Sequence, residues 1–242
     1  MTIQSEFVSS AFMNIIITGA SRGIGYETAK ILSKEHKVIS ISRSAEKNKL
    51  SGVISISFDF ENGDIKNELL PQIKKHFNNV DVLINNAAAF VKKPFAELTQ
   101  EEFEKIYRVN VFSIAELTKY ILPLMTSPPM GEIREGASHV LNIASMGGIQ
   151  GSLKFPGLSA YSSSKGALIT LTECLAEEYK QKNISFNAIA FGSVQTEMLE
   201  AAFPNFKAPM SAAQAAEFVS HFAINGNKYF NGKILQMALS TP

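Results

Sequence analysis

Short apolar runs rich in β-branched residues alternate along the chain with longer stretches of helical periodicity. The apolar runs predict seven strands, at residues 14–17, 37–42, 53–58, 80–85, 139–144, 184–191 and 233–237. The stretches between them predict helices at residues 23–34, 64–77, 99–122, 160–179 and 211–222. Pro123 is expected to bend or end the helix that precedes it.

This alternation indicates an α/β fold with a doubly wound, Rossmann-type sheet of seven parallel strands and helices on both faces. Helices between consecutive strands require crossover connections, and near-continuous apolar strands are typical of a sheet that is covered on both sides. A TIM barrel would need eight comparable βα units, whereas the predicted strands are seven and unequally spaced. Residues 13–242 are therefore predicted to form a single domain, and residues 1–12 a loosely attached extension.

Composition and charge restrict the partners of this domain. The 23 basic and 22 acidic side chains leave a net charge of +1, so no strong general attraction to nucleic acid or acidic membranes is expected. No stretch reaches the about 20 apolar residues of a membrane span, and residues 1–12 lack the features of a secretory signal. We expect a cytoplasmic protein with Cys174 in its core and, because its histidines are scattered, no metal site.

Residues 18–25, with the sequence TGASRGIG, lie between the first predicted strand and the first predicted helix. Glycines at positions 19, 23 and 25 permit a tight turn and a close approach of the backbone to a pyrophosphate. The following helix N-terminus offers N–H groups and a partial positive charge to the phosphates. The loop therefore predicts a dinucleotide site, the alternative being an ordinary strand-to-helix turn.

The end of the second predicted strand indicates which dinucleotide binds. A carboxylate there favours a free ribose 2′-hydroxyl, whereas arginine accommodates a 2′-phosphate. The strand ends at Ser42 and is followed by Arg43, and Arg22 lies within the glycine loop. The sequence therefore favours NADP(H) over NAD(H), unless both guanidinium groups are solvated surface charges. Asp59, after the third strand, is predicted either to accept from the adenine amino group or to cap the strand end.

A second group of residues has the chemistry of proton transfer. Tyr161 and Lys165 are four residues apart, so on a helix they share a face, although most such pairs are amphipathic surface pairs. An ammonium and the positive ring of an oxidised nicotinamide would lower the phenol pKa from about 10. Ser145 ends the fifth strand and can donate to a substrate oxygen. Asn110 lies in mid-helix, where asparagine is a middling helix former, so a further role is expected.

Together these motifs resemble the short-chain dehydrogenase/reductase family, in its compact single-domain branch, over about residues 13–234. The matching motifs are the glycine loop 18–25, Asp59, Asn85-Asn86-Ala87, Asn110, Ser145, Tyr161 with Lys165, and residues 187–192 followed by Thr196. The resemblance implies that Tyr161 is the acid/base and that Lys165 lowers its pKa and binds the nicotinamide ribose. It also implies that Ser145 polarises the carbonyl and that Asn110 holds a water in a proton relay.

The cofactor contacts follow from the motifs and the resemblance together, with Asn86 expected on the nicotinamide side of the cleft and Thr196 at the carboxamide or phosphates. The predicted contacts are Gly19, Ser21, Arg22, Gly23, Ile24, Gly25, Ser42, Arg43, Asp59, Phe60, Asn86, Ala87, Tyr161, Lys165, Gly192, Val194 and Thr196.

The chain departs from the family pattern at four places. Ala88 replaces a usual glycine, and Phe191 replaces the proline before Gly192. The stretch between Ser145 and Tyr161 is longer than usual, which leaves Ser152 and Ser159 as weaker alternatives to Ser145. Residues 236–240 lack the usual Asp-Gly-Gly. In the family this tail often contributes to contacts between subunits. The resemblance implies a homo-oligomer, either a tetramer or a dimer.

The sequence thus predicts an NADP(H)-dependent oxidoreductase that interconverts a carbonyl and a secondary alcohol of a small molecule. The alternatives are a cofactor-binding sensor or scaffold without turnover, and a lyase or epimerase that uses the same Tyr/Lys pair. The substrate pocket is predicted from residues 89–94, 146–155 and 192–206, with a small lid between Thr196 and the helix near Ser211. Its side chains suggest an apolar or ring-bearing substrate, or else simple packing: Phe90, Met146, Phe155, Phe191, Met198 and Phe203.

Overall fold

The computed structural model describes residues 12–45, 49–126 and 138–239, so the extension predicted at residues 1–12 lies outside the described residues except for Phe12. The strands are β1 Asn14–Thr18, β2 Lys37–Ser42, β3 Val53–Ser57, β4 Val82–Asn85, β5 Ser138–Ser145, β6 Ile184–Phe191, β7 Val194–Gln195, β8 Met210–Ser211 and β9 Ile234–Met237. The helices are α1 Gly23–Leu32, α2 Leu70–Lys74, α3 Gln100–Tyr107, α4 Ser113–Thr126, α5 Ser159–Glu178, α6 Glu197–Ala202 and α7 Ala212–Asn225.

Within the described residues, seven strands form one parallel sheet in the order β3-β2-β1-β4-β5-β6-β9. This confirms the predicted Rossmann-type fold. In the middle of the sheet Ile16 of β1 is paired with Ile39 of β2 on one side and with Leu83 of β4 on the other. The strand order reverses between β1 and β4, which opens a crevice at the carboxyl ends of the strands, where such sheets bind ligands.

The sheet separates two hydrophobic clusters, as the near-continuous apolar strands predict. Ile16 of β1 faces the cluster that includes Ile73 of α2 and Leu117 of α4. Ile15 and Ile17 face the opposite cluster, with α1 and α7. All three isoleucines are fully buried, so β1 is covered on both sides and is held rigidly beneath the glycine loop.

The predicted helix at residues 99–122 is interrupted and then extended. Its hydrogen bonding widens to π-helical over Arg108–Phe112, between α3 and α4. Pro123 does not end the helix, because α4 continues through it to Thr126. Leu122 and Met125 on either side of the proline are buried in the core, and this packing outweighs the backbone hydrogen bond that proline cannot donate.

Cys174 is exposed, so its expected position in the core is wrong. The buried face of α5 passes through Leu168, Thr172 and Ala176 at a spacing of four residues. Cys174 lies half a turn away from this line and therefore faces outward.

The segment after β6 contains elements that the sequence pattern did not predict. β7 and β8 pair in parallel as a two-stranded sheet, with Val194 opposite Met210. Between them, α6 begins after Thr196, whose side chain accepts from the Leu199 N–H at 3.3 Å. We call residues 196–209 the lid. A six-residue helix is too short to show periodicity, which is why the sequence predicts a small lid here but no helix within it.

None of the helices in the described part of the chain combines the length and hydropathy needed to cross a membrane.

Candidate active site

The glycine loop turns tightly against the end of β4. Gly19 has a φ of +69°, and a Cβ placed on it would stand 2.7 Å from the Ala87 Cα. A Cβ on Gly25 would stand 2.6 Å from the Gly19 carbonyl oxygen and would collide with the Asn86 amide. No side chain caps the first turn of α1, and no acidic residue lies in it. The loop therefore presents the open N-terminus of α1 to the crevice, as a pyrophosphate requires.

Asn86 and Thr18 join the end of β4 to the glycine loop. The Asn86 amide donates to the carbonyl oxygens of Thr18 and Gly19, both at 3.0 Å. The Thr18 hydroxyl in turn accepts from the N–H groups of Asn86 and Ala87, again at 3.0 Å. Asn86 thus holds the shape of the cofactor cleft from inside the protein.

The adenosine end of the predicted cofactor site has two exposed arginines, Arg22 and Arg43. Ser42, at the end of β2, is 6% exposed, and its hydroxyl has no hydrogen-bond partner among the described residues. Arg43 and Asp59 line one open depression of about 420 Å³. Arg43 is the cationic residue among those that line this depression, which also has the carboxylates of Asp59 and Glu68; a phosphorylated ribose would pair with Arg43.

Asp59 caps the end of a strand, which is one of the two roles that the sequence predicts for it. Its carboxylate accepts from the Glu61 N–H at 3.0 Å and from the Asn62 amide at 3.1 Å, so it caps the turn after β3. The carboxylate oxygens keep spare lone pairs for an adenine amino group. The side chains of Phe60 and Val194 are buried in the core, so these two predicted contacts are restricted to backbone atoms.

At the same edge of the sheet, β5 and α5 bring Ser145, Tyr161 and Lys165 together. The hydroxyl of Ser145 lies beside the phenol of Tyr161 and favours its ionised form. Lys165 is 2% exposed, its ammonium donates to the Ile143 carbonyl at 2.8 Å, and it lies 5.8 Å from the centre of the Tyr161 ring. Residues that are 20 positions apart in the sequence thus form one cluster.

Glycines make this cluster possible, because the turn after β5 packs directly on α5. A Cβ on Gly148 would stand 2.7 Å from the Gly166 backbone nitrogen, and one on Gly147 would stand 2.8 Å from the Ser162 hydroxyl. Larger residues would push α5 away from the sheet and separate the Ser145 hydroxyl from the phenol. The sequence shows these glycines, but the contact that requires them is visible only in the fold.

Burial raises the pKa of Tyr161 to about 12, and the hydrogen bond to Ser145 acts in the opposite direction. Burial lowers the pKa of Lys165 to about 8. The protein alone therefore shifts the phenol pKa opposite to the sequence-based expectation, because the loss of hydration outweighs the other influences on the phenolate. At neutral pH the phenol is protonated, which is the state of a proton donor.

Asn110 lies in the π-helical turn, a feature that is frequent at functional sites. Its side chain is fully buried; its amide donates to the Ala89 carbonyl and to the Ser164 hydroxyl, and its oxygen accepts from the Ala89 N–H. All its hydrogen-bonding groups have partners within the protein. The side chain therefore positions the loop after β4 and α5.

Ser145, and not Ser152, is the serine that contacts the phenol. The Ser152 hydroxyl donates to the carbonyl of Ile149 at 2.9 Å and accepts from Lys154 at 2.7 Å, so it holds together the long turn after β5. Ser159, the other alternative, is an exposed residue at the start of α5.

Aromatic side chains line the side of the cleft away from the glycine loop. The ring of Phe90 meets Tyr161 edge-on at 5.1 Å, and Phe155 meets Phe203 of the lid at 6.1 Å. Phe191 and Met146, which were possible pocket residues, are instead buried: Phe191 packs in the cluster with α7, and Met146 against β6. At the other end of the lid, Thr196 lies beside the glycine loop, 3.4 Å from the position of a Cβ on Gly23.

An open parallel sheet with a glycine loop at its switch point, and with a serine, a tyrosine and a lysine at the same edge, is typical of dinucleotide-binding α/β proteins. The family model described as short chain dehydrogenase matches residues 13–207. The chain therefore belongs to the short-chain dehydrogenase family, and its general kind is that of an oxidoreductase.

Individual relatives agree with this assignment. The chain is 33% identical over 195 residues to the ketoacyl reductase HetN of Nostoc sp., a match that covers 76% of this chain and 64% of that protein. It is 28% identical over 246 residues to the 3-oxoacyl-[acyl-carrier-protein] reductase FabG of Chlamydia trachomatis, covering 92% and 94% of the two chains. The solved structure of Pseudomonas aeruginosa RhlG with NADP has the same fold, with a TM-score of 0.83, 23% identity and coverage of 95% and 96%.

Proposed function

We propose that this protein is an NADP(H)-dependent oxidoreductase that interconverts a carbonyl and a secondary alcohol of a small molecule, with Tyr161 as its acid and base. The observation that carries the proposal is that the Ser145 hydroxyl, the Tyr161 phenol and the buried Lys165 ammonium lie together. This cluster lies at the sheet edge that also carries the glycine loop. A group reduced there would be within reach of both a hydride and a proton.

The bound cofactor would supply or accept the hydride. In reduction, the hydroxyls of Ser145 and Tyr161 hold the substrate oxygen, and Tyr161 transfers its proton to that oxygen as negative charge develops. The phenol is protonated at neutral pH, so the proton that reduction needs is present. The Lys165 ammonium supplies positive charge that favours the phenolate left behind.

The preference for NADP(H) over NAD(H) rests on the exposed guanidinium groups of Arg22 and Arg43. These groups suit a 2′-phosphate, and the sequence offers no carboxylate at the end of β2 that would bind a free 2′-hydroxyl instead. The proposal further includes a location in the cytoplasm and assembly as a homo-oligomer, which light scattering tests by giving a mass two or four times that of the chain.

The deciding experiment is a screen of ketones and aldehydes that follows NADPH and NADH consumption in parallel, with Tyr161→Phe measured on every substrate that is turned over. We expect this variant to lose at least about 100-fold in kcat and to bind NADPH almost normally. Tyr179→Phe, at the end of the same helix, is the matched control and should keep full activity.

The sensor alternative predicts a different outcome. Tight NADPH binding with no turnover across the screen, unchanged in Tyr161→Phe, would replace the enzyme by a cofactor-binding scaffold. The intact Ser145, Tyr161 and Lys165 cluster favours the enzyme, because a protein that only binds the cofactor needs no hydroxyl aimed at the phenol.

A further inference from the structure

Lys92, in the loop after β4, contacts the lid. It lies two residues beyond Phe90, whose ring contacts Tyr161. Its ammonium donates to the Ala202 carbonyl at 3.0 Å and lies 3.8 Å from the centre of the Phe203 ring. On its other side, its alkyl chain passes 3.3 Å from the position of a Cβ on Gly157. Lys92 is an exposed residue, and through these contacts it joins the loop after β4 to the turn before α5 and to the lid.

The charge of Lys92 is not matched by an acidic side chain. Its neighbour Lys93 pairs with Glu102 at 3.1 Å, whereas no ion pair of Lys92 occurs within the described residues. The Ala202 carbonyl takes one of the three ammonium N–H donors, and the face of Phe203 attracts the charge without accepting a conventional hydrogen bond. Two donors therefore remain for a ligand.

The surroundings of this ammonium are aromatic. Phe203 packs on the ammonium and Phe155 packs on Phe203, while Phe90, two residues before Lys92, packs on Tyr161. A cation beside aromatic walls suits a ligand with an apolar body and one anionic group, because the body is desolvated while the charge is paired.

We propose that Lys92 determines substrate specificity by binding an anionic group, so that the preferred substrates are apolar carbonyl compounds that carry a carboxylate or a similar anion. This inference rests on the proposed function, because it places the reacting carbonyl at Ser145 and Tyr161. A competing explanation is that Lys92 only fastens the lid through the Ala202 carbonyl. That hydrogen bond would affect the turnover of every substrate equally, whatever the charge of the substrate.

The test uses substrates that differ only in charge: 4-acetylbenzoate against its methyl ester, and 4-oxopentanoate against its methyl ester. We expect the wild-type protein to favour each acid over its ester by about 10- to 100-fold in kcat/KM, mostly through KM. Lys92→Met should remove this preference and leave the ester rates within about three-fold of wild type. Lys93→Met, the matched control, should keep the wild-type ratio. Equal rates for acid and ester in wild type, or an equal loss for both in Lys92→Met, would overturn the proposal.

A binding measurement separates this inference from the proposed function. Calorimetric titration of the NADPH-loaded protein with 4-acetylbenzoate and with its ester should show the same preference, lost in Lys92→Met and kept in Lys93→Met. A binding preference without turnover would contradict the proposed function and leave the anion site standing. Turnover of neutral ketones without any preference for anions would do the reverse.

Discussion

The Asn110 side chain forms hydrogen bonds to both the N–H and the carbonyl of Ala89. Its oxygen accepts from the Ala89 N–H at 2.8 Å, and its nitrogen donates to the Ala89 carbonyl at 3.1 Å. The second N–H of the amide reaches the hydroxyl of Ser164 at 3.0 Å, on the same helix as Tyr161. One buried amide therefore connects the loop after β4, the π-helical turn and α5, which are the three segments that surround the phenol.

Replacing Asn110 by leucine should destabilise the protein by about 2–4 kcal/mol and lower kcat. Leucine has a similar volume but leaves the N–H and C=O of Ala89 without partners, and an unsatisfied buried group costs about 1–3 kcal/mol. Denaturant unfolding and steady-state kinetics check both effects. Asn78→Leu, at an exposed position, is the control. Wild-type stability in Asn110→Leu would show that Ala89 finds other partners.

The sequence predicted the sheet well because β1 to β6 carry the continuous apolar runs that burial on both faces requires. It also placed the site residues on the right elements, since the glycine loop, Ser145 and Lys165 all follow from motifs. It could not show that the Asn110 amide is fully used within the protein, or that Asp59 caps its own turn. Such roles depend on contacts between distant segments, which a local pattern does not record.

The direction of the Tyr161 pKa shift illustrates the same limit. Helical spacing correctly places Lys165 near the phenol, but it does not give the burial of either group. In the fold the Lys165 ammonium lies 5.8 Å from the ring centre and donates to Ile143, and burial dominates both pKa values. Whether a charge or desolvation prevails is decided by tertiary packing.

Gly19→Ala should impair NADPH binding far more than Gly52→Ala. Both glycines have positive φ angles, +69° and +79°, so alanine is strained by about 1–2 kcal/mol at either position. Only at Gly19 does the new methyl group also meet backbone, at 2.7 Å from Ala87, whereas nothing lies within 4 Å at Gly52. Fluorescence titration with NADPH measures the difference. Equal losses of affinity would mean that strain alone, rather than the shape of the loop, controls binding.

Arg43→Ala should weaken the binding of NADPH by about 10-fold or more and leave that of NADH almost unchanged. A charge-assisted hydrogen bond to a phosphate contributes about 1.5–3 kcal/mol, and NADH lacks this phosphate. The dissociation constants of both cofactors, measured side by side, give the ratio. Lys49→Ala, further along the same connection, is the control. An equal weakening of both cofactors would remove Arg43 from the 2′-phosphate site.

The affinity for NADPH should fall as the pH rises through about 8. Burial lowers the pKa of Lys165 to about 8, so the ammonium that the proposed ribose contact needs is lost above this pH. The expected loss approaches ten-fold per pH unit between pH 8 and 10. Lys165→Met should bind NADPH more weakly at pH 7 and without this dependence. A wild-type affinity that stays constant up to pH 10 would contradict a ribose contact by the ammonium.

Acid should destabilise the fold through His139, which is fully buried at the start of β5. Its Nδ1 lies 2.9 Å from the Ala223 carbonyl and its Nε2 lies 3.0 Å from the Asn187 amide, so the neutral ring donates to the former and accepts from the latter. Protonation would place an N–H against the Asn187 N–H group. Burial accordingly lowers the pKa of His139 from its ordinary value of 6.5 to about 4.

Because the folded-state pKa lies below the unfolded one, the stabilisation is complete above about pH 6.5 and is lost as the pH falls toward 4. A shift of this size corresponds to about 3 kcal/mol. Denaturant unfolding between pH 7.5 and 4 should show this loss in wild type and in His221→Gln, whose histidine is exposed on α7. His139→Gln should be less stable at pH 7.5 but should lose less on acidification. If the free energy of unfolding changes with pH identically in all three proteins, the acid sensitivity comes from other groups. The buried His36, whose pKa is also lowered, would then be the next residue to replace.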